Sequence, residues 1–374
     1  MTIEPSAQEA AGDDFGAWEL VLHYLTPIQA LLQLDDVSEI MVNRYDEIFV
    51  ERNGSMERVK ERFTTEEELA QAITQIGNAL NQPVDPRHNP ILDARLRDGS
   101  RVCGVLWPNS ARGSSMSIRV FPKRRLTSQA LVDRGSLTKA MLDYLKKAVI
   151  ARSNILVSGG TSSGKTTLLN TLSSFIPRDE RVITVEDTKE LQLDLPNLVC
   201  LEAPHRSNQR PNQNGAVSQH IDMAYLIRTT LRMNPTRVFV GEIRDLNAAV
   251  SFLHAINTGH DGTCSTIHAN DVADALTRMQ TLVAGGGGGA LPYEVVRAQV
   301  RANLDVLIHA ENTPRHGRRV VEIAELRNQE VFLLWSWDYV NGVHIAHQAN
   351  LDKSIVVQDA EKYQVDASTQ AARL

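Results

Sequence analysis

The feature that most constrains this 374-residue chain is a glycine-rich turn between a short apolar run and an amphipathic stretch. Residues 155–169 read ILVSGGTSSGKTTLL, in which Gly159-x-x-x-x-Gly164-Lys165-Thr166 matches the phosphate-binding loop pattern. The apolar run predicts a buried strand, and the leucines after the turn predict a helix. A chance Gly/Ser-rich turn is the alternative, but a strand that passes through glycines into a helix N-terminus predicts a nucleotide site.

Each residue type in this loop has a chemical reason to be there. Glycines let the backbone curl so that successive N–H groups face the β-phosphate, and the helix N-terminus adds its positive end. Lys165 supplies a positive charge between the β- and γ-phosphates, and Thr166 offers a hydroxyl to Mg²⁺. The predicted cofactors are therefore ATP and Mg²⁺. The predicted binding residues are Gly159, Gly160, Thr161, Ser162, Ser163, Gly164, Lys165, Thr166 and Thr167.

Acidic residues at the ends of two further apolar runs are candidates for the chemistry. Glu242 ends the run RVFVGE, and Glu186 with Asp187 ends the run VITVED. A carboxylate at such a strand end would lie beside the phosphate-binding loop, where it can polarise a water or hold Mg²⁺ through one. An ordinary surface carboxylate is the alternative for each of the three residues.

Two histidines lie in a Gly/Thr/Ser-rich segment at residues 258–270, TGHDGTCSTIHAN. An imidazole in this segment can sense the γ-phosphate through a hydrogen bond. His260 and His268 are eight residues apart across a turn, which is not the spacing of metal ligands, and no third ligand is nearby. A purely structural role is the alternative for both.

The rest of the chain shows two styles of pattern. Residues 1–121 contain a polar tail over 1–17, two short helices, strands with turn signals and one amphipathic helix, which together predict a small α+β domain. Residues 122–136 form a predicted linker. From 137 to 374, short apolar runs alternate with helical stretches, which predicts an α/β domain with a mostly parallel sheet. The glycine run at 285–289 predicts a flexible segment.

Composition narrows the classes of function. The net charge of −6 and the aromatic content of 5% argue against nucleic acid as the main partner. Three widely spaced cysteines argue against a disulfide framework, and we expect each to be buried. The N-terminus lacks a signal-peptide pattern and no apolar run is long enough to span a bilayer, so we expect any work at a membrane to be done from its surface.

Four segments, in order, resemble the motifs of the type II/type IV secretion traffic ATPases. GGTSSGKTTLLNTL resembles Walker A, RVITVEDTKELQL the Asp box, LRMNPTRVFVGEIRD Walker B and TGHDGTCSTIHAN the His box. The stretches DVSEIMVN, DEIFVERNG, ARLRDGSRV and SIRVF resemble the N-terminal domain of the same family. Within the family, the sequence is most similar to the conjugative-transfer and Tad-pilus assembly ATPases.

The resemblance implies a fold, a function and partners. The C-terminal part would be a RecA-like P-loop NTPase domain, preceded by a smaller α+β N-terminal domain. The protein would form a hexamer on the cytoplasmic face of a bacterial inner membrane. There it would contact the inner-membrane components of a secretion or pilus machine and drive that machine by ATP hydrolysis. Tight binding to nucleic acid is not expected.

The resemblance also implies roles for individual residues. Glu242 would be the Walker B glutamate, Glu186 the Asp-box acid, and His260 and His268 the His-box pair. Together with Lys165 these four residues form the predicted catalytic set. The predicted contacts to Mg²⁺, direct or through water, are Thr166, Glu186 and Glu242.

Four arginines receive predicted roles from the resemblance. Arg119 in SIRVF and Arg101 in DGSRV match arginines that reach the phosphates from the N-terminal domain. A guanidinium fork reads phosphate well, so domain closure would then depend on nucleotide; surface salt bridges are the alternative. Arg232 and Arg244 flank the Walker B segment and are candidates for contacts between subunits.

Other classes of protein share the phosphate-binding loop. A RecA-like nucleic-acid translocase or helicase is the main alternative, and it would need a basic channel that carries aromatic side chains. The acidic composition counts against it. A nucleotide-switched scaffold would lack an acid such as Glu242, and a small-molecule kinase would need a second substrate signature.

Overall fold

The computed structural model describes residues 18–52, 54–121, 126–203, 221–286, 291–357 and 359. The chain divides into two units, Met1–Arg124 and Arg125–Leu374. The predicted N-terminal tail, Asn53 of the first hairpin turn, the start of the predicted linker and most of the glycine run lie outside the described residues.

The first unit contains one antiparallel sheet and helices that pack on it. The strand order is β3-β2-β1-β6-β5-β4. Thr65 caps the N-terminus of helix α2, and its hydroxyl accepts the N–H of Glu68 at 3.2 Å. The apolar stripe of this helix lies in the core of the unit. The elements are α1 (Thr26–Leu32), β1 (Val37–Arg44), β2 (Glu47–Arg52), β3 (Ser55–Arg58), α2 (Glu66–Ala79), β4 (Ile91–Arg95), β5 (Arg101–Val105) and β6 (Ser115–Arg119).

The second unit is built on a nine-stranded mixed sheet. Its helices are α3 (Ser128–Asp133), α4 (Lys139–Ile150), α5 (Lys165–Ser173), α6 (Met223–Thr230), α7 (Leu246–Asn257), α8 (Val272–Gly285), α9 (Tyr293–Asn303) and α10 (Gln348–Leu351). Its strands are β7 (Ile155–Gly159), β8 (Val182–Glu186), β9 (Leu198–Glu202), β10 (Arg237–Ile243), β11 (Cys264–Ile267), β12 (Val306–Thr313), β13 (Gly317–Arg327), β14 (Glu330–Asp338) and β15 (Val343–Ala346).

The strand order in this sheet is β15-β14-β13-β12-β7-β11-β10-β8-β9. Six adjacent strands of this sheet are parallel to one another, in the order β12-β7-β11-β10-β8-β9. The strands from β12 to β15 form an antiparallel edge. The predicted α/β class is therefore confirmed, and the sheet is mostly parallel with an antiparallel extension.

Helices cover both faces of the parallel strands. Along β7, Leu156 packs with α6, α7, α8 and α9, whereas Ile155 and Val157 pack with α4 and α5. Successive side chains of a strand point to opposite faces, so a strand buried on both faces appears in the sequence as a continuous apolar run. This is the physical reason why the apolar runs of this unit lack alternation.

Some details differ from the sequence prediction or extend it. The predicted linker contains α3, and Thr127 caps its N-terminus by accepting the N–H of Ala130 with its hydroxyl. Cys103 and Cys200 are exposed, contrary to expectation, while Cys264 is buried. Cysteine can also occupy an exposed position of a strand, and composition alone does not reveal which strand positions are exposed. In the described part of the chain, no helix is long and apolar enough to cross a membrane.

Candidate functional site

The parallel strands bring several predicted site residues to one edge of the sheet. Gly159 ends β7 and Glu186 ends β8, while Glu242 lies near the end of β10 and His268 follows β11. Because these strands are parallel neighbours, their carboxyl ends meet at the same edge. Topology therefore collects residues that are about 110 positions apart in the chain.

The phosphate-binding loop leaves β7 in a conformation that requires glycine. A Cβ on Gly159 would lie 2.2 Å from the carbonyl oxygen of Ala310 and 2.4 Å from the Ser163 hydroxyl. Gly164 has φ +98° and precedes α5 directly, so the helix N-terminus opens toward the loop. The Ser163 hydroxyl is buried without a hydrogen-bond partner among the described residues. A buried orphan donor in such a loop fits a bound phosphate oxygen.

Lys165 turns its ammonium group back into the loop. Its Nζ donates to the carbonyl oxygens of Gly159 at 2.9 Å and Gly160 at 2.8 Å. The residue is only 8% exposed. The charge is therefore held at the loop by two backbone acceptors, in the place where a polyphosphate would meet it.

Glu190 contacts the loop, and the sequence analysis did not single it out. The Thr166 hydroxyl donates to Glu190 Oε2 at 3.1 Å. Glu190 lies four residues after Glu186, beyond the end of β8. The acidic spacing within VEDTKE was the signal available in the sequence. The acid that contacts Thr166 is thus Glu190, whereas Glu186 accepts hydrogen bonds from backbone N–H groups.

Glu186 is a buried carboxylate with a perturbed pKa. It is 3% exposed, and its Oε1 accepts the N–H groups of Glu190 and Leu191, each at 2.9 Å. Its pKa is raised to about 7: burial is the largest cause, the two backbone N–H groups lower the pKa, and the charges of Glu190 and Glu202 raise it. This carboxyl group can change its protonation state near neutral pH.

Glu242 is the acid most directly engaged at the sheet edge. Its Oε2 accepts a hydrogen bond from Arg244 Nη2 at 3.0 Å. Its buried Oε1 lies 3.0 Å from His268 Nε2 but has no hydrogen-bond partner among the described residues. Arg244 also lies 3.9 Å from Asp187 Oδ2. The guanidinium thus orients the carboxylate through one oxygen, and the other oxygen can accept a hydrogen bond from a water.

His268 has an electrostatic environment that favours the neutral imidazole. Partial burial lowers its pKa, and the positive charge of Lys165 lowers it further, against the opposing effect of Glu242. A neutral imidazole can donate one N–H or accept one hydrogen bond at Nε2, depending on the tautomer. His268 therefore lies within the field of the loop lysine and beside the acid.

His260 lies at the other edge of the sheet. It precedes β11, whose first residue, Cys264, is paired with Ile155 at the start of β7. Its Nδ1 lies 3.3 Å from the Thr258 hydroxyl, and its carbonyl oxygen accepts the Thr263 hydroxyl. The structure thus separates the two predicted His-box histidines, because the strand between them spans the sheet. Within one chain, His260 is not brought to the phosphate-binding loop.

The two predicted phosphate-reaching arginines are neighbours within the first unit. Arg101 on β5 is directly paired with Arg119 on β6, and Arg95 on β4 is paired with Arg101. The register places these three arginines in one row on the same sheet face. Arg101 is also ion-paired with Asp93, with 3.0 Å between Nη2 and Oδ2. Arg95 was missed, although the Asp98-Gly99 turn signal fixes its register with Arg101.

Three further residues adjoin the loop without belonging to any motif. Ser158 precedes Gly159, and its hydroxyl lies 2.9 Å from Nδ1 of the buried His309. Arg318 Nε donates to the carbonyl oxygen of Ser162 at 2.8 Å. No local sequence signal identifies these contacts, because both partners come from strands that follow the loop by about 150 residues.

The donor set fits a hard divalent cation held together with phosphate. Thr166, Glu190 and Glu242 offer oxygen atoms, which Mg²⁺ prefers, and Mg²⁺ keeps several waters. Among the described residues, no cluster of three or more His, Cys, Asp or Glu side chains could hold a metal ion by itself. Such a cation would therefore depend on the nucleotide for part of its coordination.

Residues 23–310 match the family described as "Type II/IV secretion system protein". The chain belongs to this family. It is 32% identical over 303 residues to the conjugal transfer protein TrbB of Rhizobium radiobacter, covering 80% of this chain and 87% of that protein. It is 32% identical over 329 residues to the type IV secretion system protein PtlH of Bordetella pertussis, covering 80% of this chain and 93% of PtlH.

A solved structure agrees with the observed fold. The ATPase DotB of Legionella pneumophila superposes with a TM-score of 0.56 at 19% identity, over 81% of this chain and 80% of DotB. At this identity the likeness concerns the fold. Family membership and the predicted traffic-ATPase resemblance agree, and the chain is an ATPase of this family.

Proposed function

We propose that this ATPase is the motor of a conjugative-transfer, type IV secretion or related pilus-assembly machine. One observation carries the proposal: Glu242, oriented by Arg244 and 3.0 Å from His268, lies at the same sheet edge as the phosphate-binding loop with Lys165. A scaffold that only binds nucleotide has no need of an oriented carboxylate beside that loop. We also propose that the second unit is a RecA-like P-loop NTPase domain.

The residues of the loop bind and orient the nucleotide. Lys165 exchanges its two carbonyl acceptors for phosphate oxygens, and the backbone N–H groups at the start of α5 donate to the phosphates. Glu242 holds the attacking water through Oε1, which is unpaired among the described residues, and accepts its proton, while Arg244 keeps the carboxylate in place. His268, as a neutral imidazole, reports the γ-phosphate to Glu242 through their 3.0 Å contact.

Thr166 would hold Mg²⁺ directly, with Glu190 and Glu242 close by, directly or through water. When bound, Mg²⁺ neutralises charge on the β- and γ-phosphates. Glu190 accepts the Thr166 hydroxyl in the structure, so it also sets the direction of the lone pairs that Thr166 presents. Glu186 is less available as a metal ligand, because its Oε1 accepts two backbone N–H groups.

Arg101 and Arg119 would link nucleotide to the first unit. Their common sheet face presents guanidinium groups side by side, which suits a polyphosphate. In a hexameric ring, such contacts would let hydrolysis drive hinge motion between the units. Arg232, and His260 at the far sheet edge, would then be candidates for contacts with a neighbouring subunit. The work would take place at the cytoplasmic face of the inner membrane, on the membrane components of the machine.

Substitution Lys165→Ala tests the nucleotide site. The variant should lose ATP turnover and bind nucleotide weakly while its thermal midpoint stays close to that of the parent. Lys139→Ala is the matched control, because Lys139 is an exposed lysine of the same unit, ion-paired with Asp143 on α4. Normal turnover in Lys165→Ala would contradict the assignment of the site.

Mass measurement in solution tests the ring. A non-hydrolysable ATP analogue with Mg²⁺ should favour a hexamer, and a monomer under all conditions would contradict the ring.

The similarity to secretion and conjugation proteins does not favour the helicase alternative. It would require hydrolysis that single-stranded nucleic acid stimulates strongly. Turnover that is unchanged by single strands therefore separates the two functions.

A further inference from the structure

Arg318 reaches the phosphate-binding loop from a different part of the sheet. It follows the turn between β12 and β13, where Thr313 is paired with Gly317. Strand β12 is the parallel neighbour of β7, with Ala310 opposite Gly159. This register places the end of the β12–β13 hairpin beside the loop that leaves β7.

Arg318 lies against the loop and forms a hydrogen bond with it. Its Nε donates to the carbonyl oxygen of Ser162 at 2.8 Å, and its Cδ lies 3.6 Å from the position that a Cβ would take on Gly164. Ser162 has φ +58°, a left-handed conformation that residues other than glycine rarely adopt. Such a conformation persists only when its surroundings hold it. Arg318 supplies a contact at the residue of the loop whose backbone is least favourable.

The geometry of the peptide unit gives this contact a consequence. In a trans peptide, the carbonyl group and the following N–H lie in one plane and point in opposite directions. A hydrogen bond that holds the Ser162 carbonyl toward Arg318 therefore turns the Ser163 N–H away from Arg318. Backbone N–H groups are the donors through which such a loop binds phosphate. Arg318 thus sets the direction of one donor before the nucleotide binds.

We propose that Arg318 is a positioning residue for nucleotide binding, because its Nε–H holds the Ser162–Ser163 peptide with the N–H turned toward the phosphates. The inference rests on the proposed nucleotide site and adds a contact that lies outside the Walker and box motifs. Arg318 affects nucleotide binding through this hydrogen bond rather than through its positive charge. The oriented N–H contacts phosphate in bound ATP as well as in the transition state, so the effect belongs in Kd and KM rather than in kcat.

Substitution of Arg318 by residues of matched shape separates the hydrogen bond from the charge. Glutamine carries an N–H donor on Cδ, where arginine carries Nε, but has no charge, whereas methionine has the same length and no donor. The control is Arg315→Met, since Arg315 is an exposed arginine of the same hairpin. The measurements on the full chain are the Kd for ADP with Mg²⁺ by calorimetry, KM and kcat for ATP, and the thermal midpoint.

We expect Arg318→Met to weaken ADP binding about fivefold, as the loss of one hydrogen bond would. Its KM should rise by a similar factor while kcat stays within about twofold. Arg318→Gln should bind within about twofold of the parent chain, since it keeps the donor. Arg315→Met should bind as the parent does.

Three results would overturn the proposal. If Arg318→Gln binds as weakly as Arg318→Met, the charge acts and the hydrogen bond does not. If Arg318→Met binds as the parent does, or only lowers the thermal midpoint without changing Kd, the contact has no role in binding. Arg318→Ala provides the same comparison if the methionine variant does not fold. A parent chain that fails to bind ADP would instead contradict the proposed function.

Discussion

Single carboxylates at this sheet edge differ in what surrounds them, and that difference sets their chemistry. Glu242 is ion-paired with Arg244, which compensates its charge, and lies 3.0 Å from the His268 imidazole. Glu186 is buried among backbone N–H groups and further acids, and burial raises its pKa to about 7. The same residue type at two strand ends is thus prepared for two roles: an oriented carboxylate, and a group that titrates near neutrality.

Substitution Glu242→Gln should separate binding from hydrolysis. The amide keeps the size of the side chain but accepts a proton from water poorly, so kcat should fall by roughly 10²–10⁴-fold. The Kd for ATP with Mg²⁺ should change little. Single-turnover kinetics with calorimetry measure both, and Glu294→Gln, an exposed acid paired with Arg297, is the control. A parent-like rate would move the catalytic acid elsewhere, to Glu186 first.

Glu186→Gln should change how stability depends on pH. The folded pKa of about 7 lies above the ordinary 4.5, so burial of the charge costs roughly 3 kcal/mol above pH 7. The cost shrinks as pH falls through 7, because the folded form then takes up the proton first. The variant should therefore be more stable than the parent at pH 8, with the advantage below about 1 kcal/mol at pH 5.

Thermal and urea unfolding at several pH values measure this difference. Glu330→Gln is a suitable control, because Glu330 is an exposed acid at the start of β14 in the same unit. If Glu186→Gln shows the same stability difference from the parent at pH 8 and pH 5, Glu186 is not a group that burial keeps partly protonated.

At the scale of elements, the strands that follow β12 serve both the loop and the C-terminal segment. The β12–β13 hairpin presents Arg318 to Ser162. Farther along β13, the fully buried Glu325 accepts the Tyr144 hydroxyl of α4 at 3.1 Å, the Ser354 hydroxyl at 2.7 Å and the Ile355 N–H at 2.8 Å. One strand thus fastens a helix of the core and the segment after α10.

Glu325→Ala should strongly destabilise the second unit. The substitution leaves Arg327, only 9% exposed, without the carboxylate that it contacts at 3.2 Å. Breaking a buried pair by removing one partner costs about 3–5 kcal/mol. Tyr144→Phe removes only one of the hydrogen bonds and should cost about 1 kcal/mol. Urea unfolding measures both, and equal small losses would show that Glu325 does not hold these elements together.

At the scale of the whole molecule, the chain has two units, and residues predicted to contact phosphate occur in both. The first unit has the arginine row with Arg101 and Arg119, and the second has the loop and the acids. A ligand that binds only the folded state raises stability by RT ln(1 + [L]/Kd). Nucleotide should therefore act on whichever unit contacts it.

Calorimetric unfolding of the full chain should show two transitions. At about 100 times its Kd, ADP with Mg²⁺ should stabilise the second unit by about 2.7 kcal/mol. If Arg119 reaches the phosphates, nucleotide should also raise the unfolding temperature of the first unit. Arg119→Gln should abolish that increase and leave the transition of the second unit unchanged. Arg58→Gln, on the edge strand β3, is the control. A first transition that never responds to nucleotide would contradict the role of Arg119.

Local patterns in the sequence determined those features of this protein that depend on residues close together in the chain. The glycines and Lys165 of the loop, the capped start of α2 and the doubly buried strands follow from residues within a few positions of one another. The α/β class follows from how apolar runs and helical stretches alternate. Asp box, Walker B and His box could be recognised for the same reason, since each is a short continuous segment.

The tertiary structure decided which of those segments meet. Only the order of parallel strands brings Glu242 and His268 to the loop and leaves His260 at the opposite edge. Only register places Arg95 beside Arg101, and only the hairpin from β12 delivers Arg318 to Ser162. Short-range chemistry is written in adjacent residues, but contacts across about 150 residues depend on strand pairing, which no local pattern specifies.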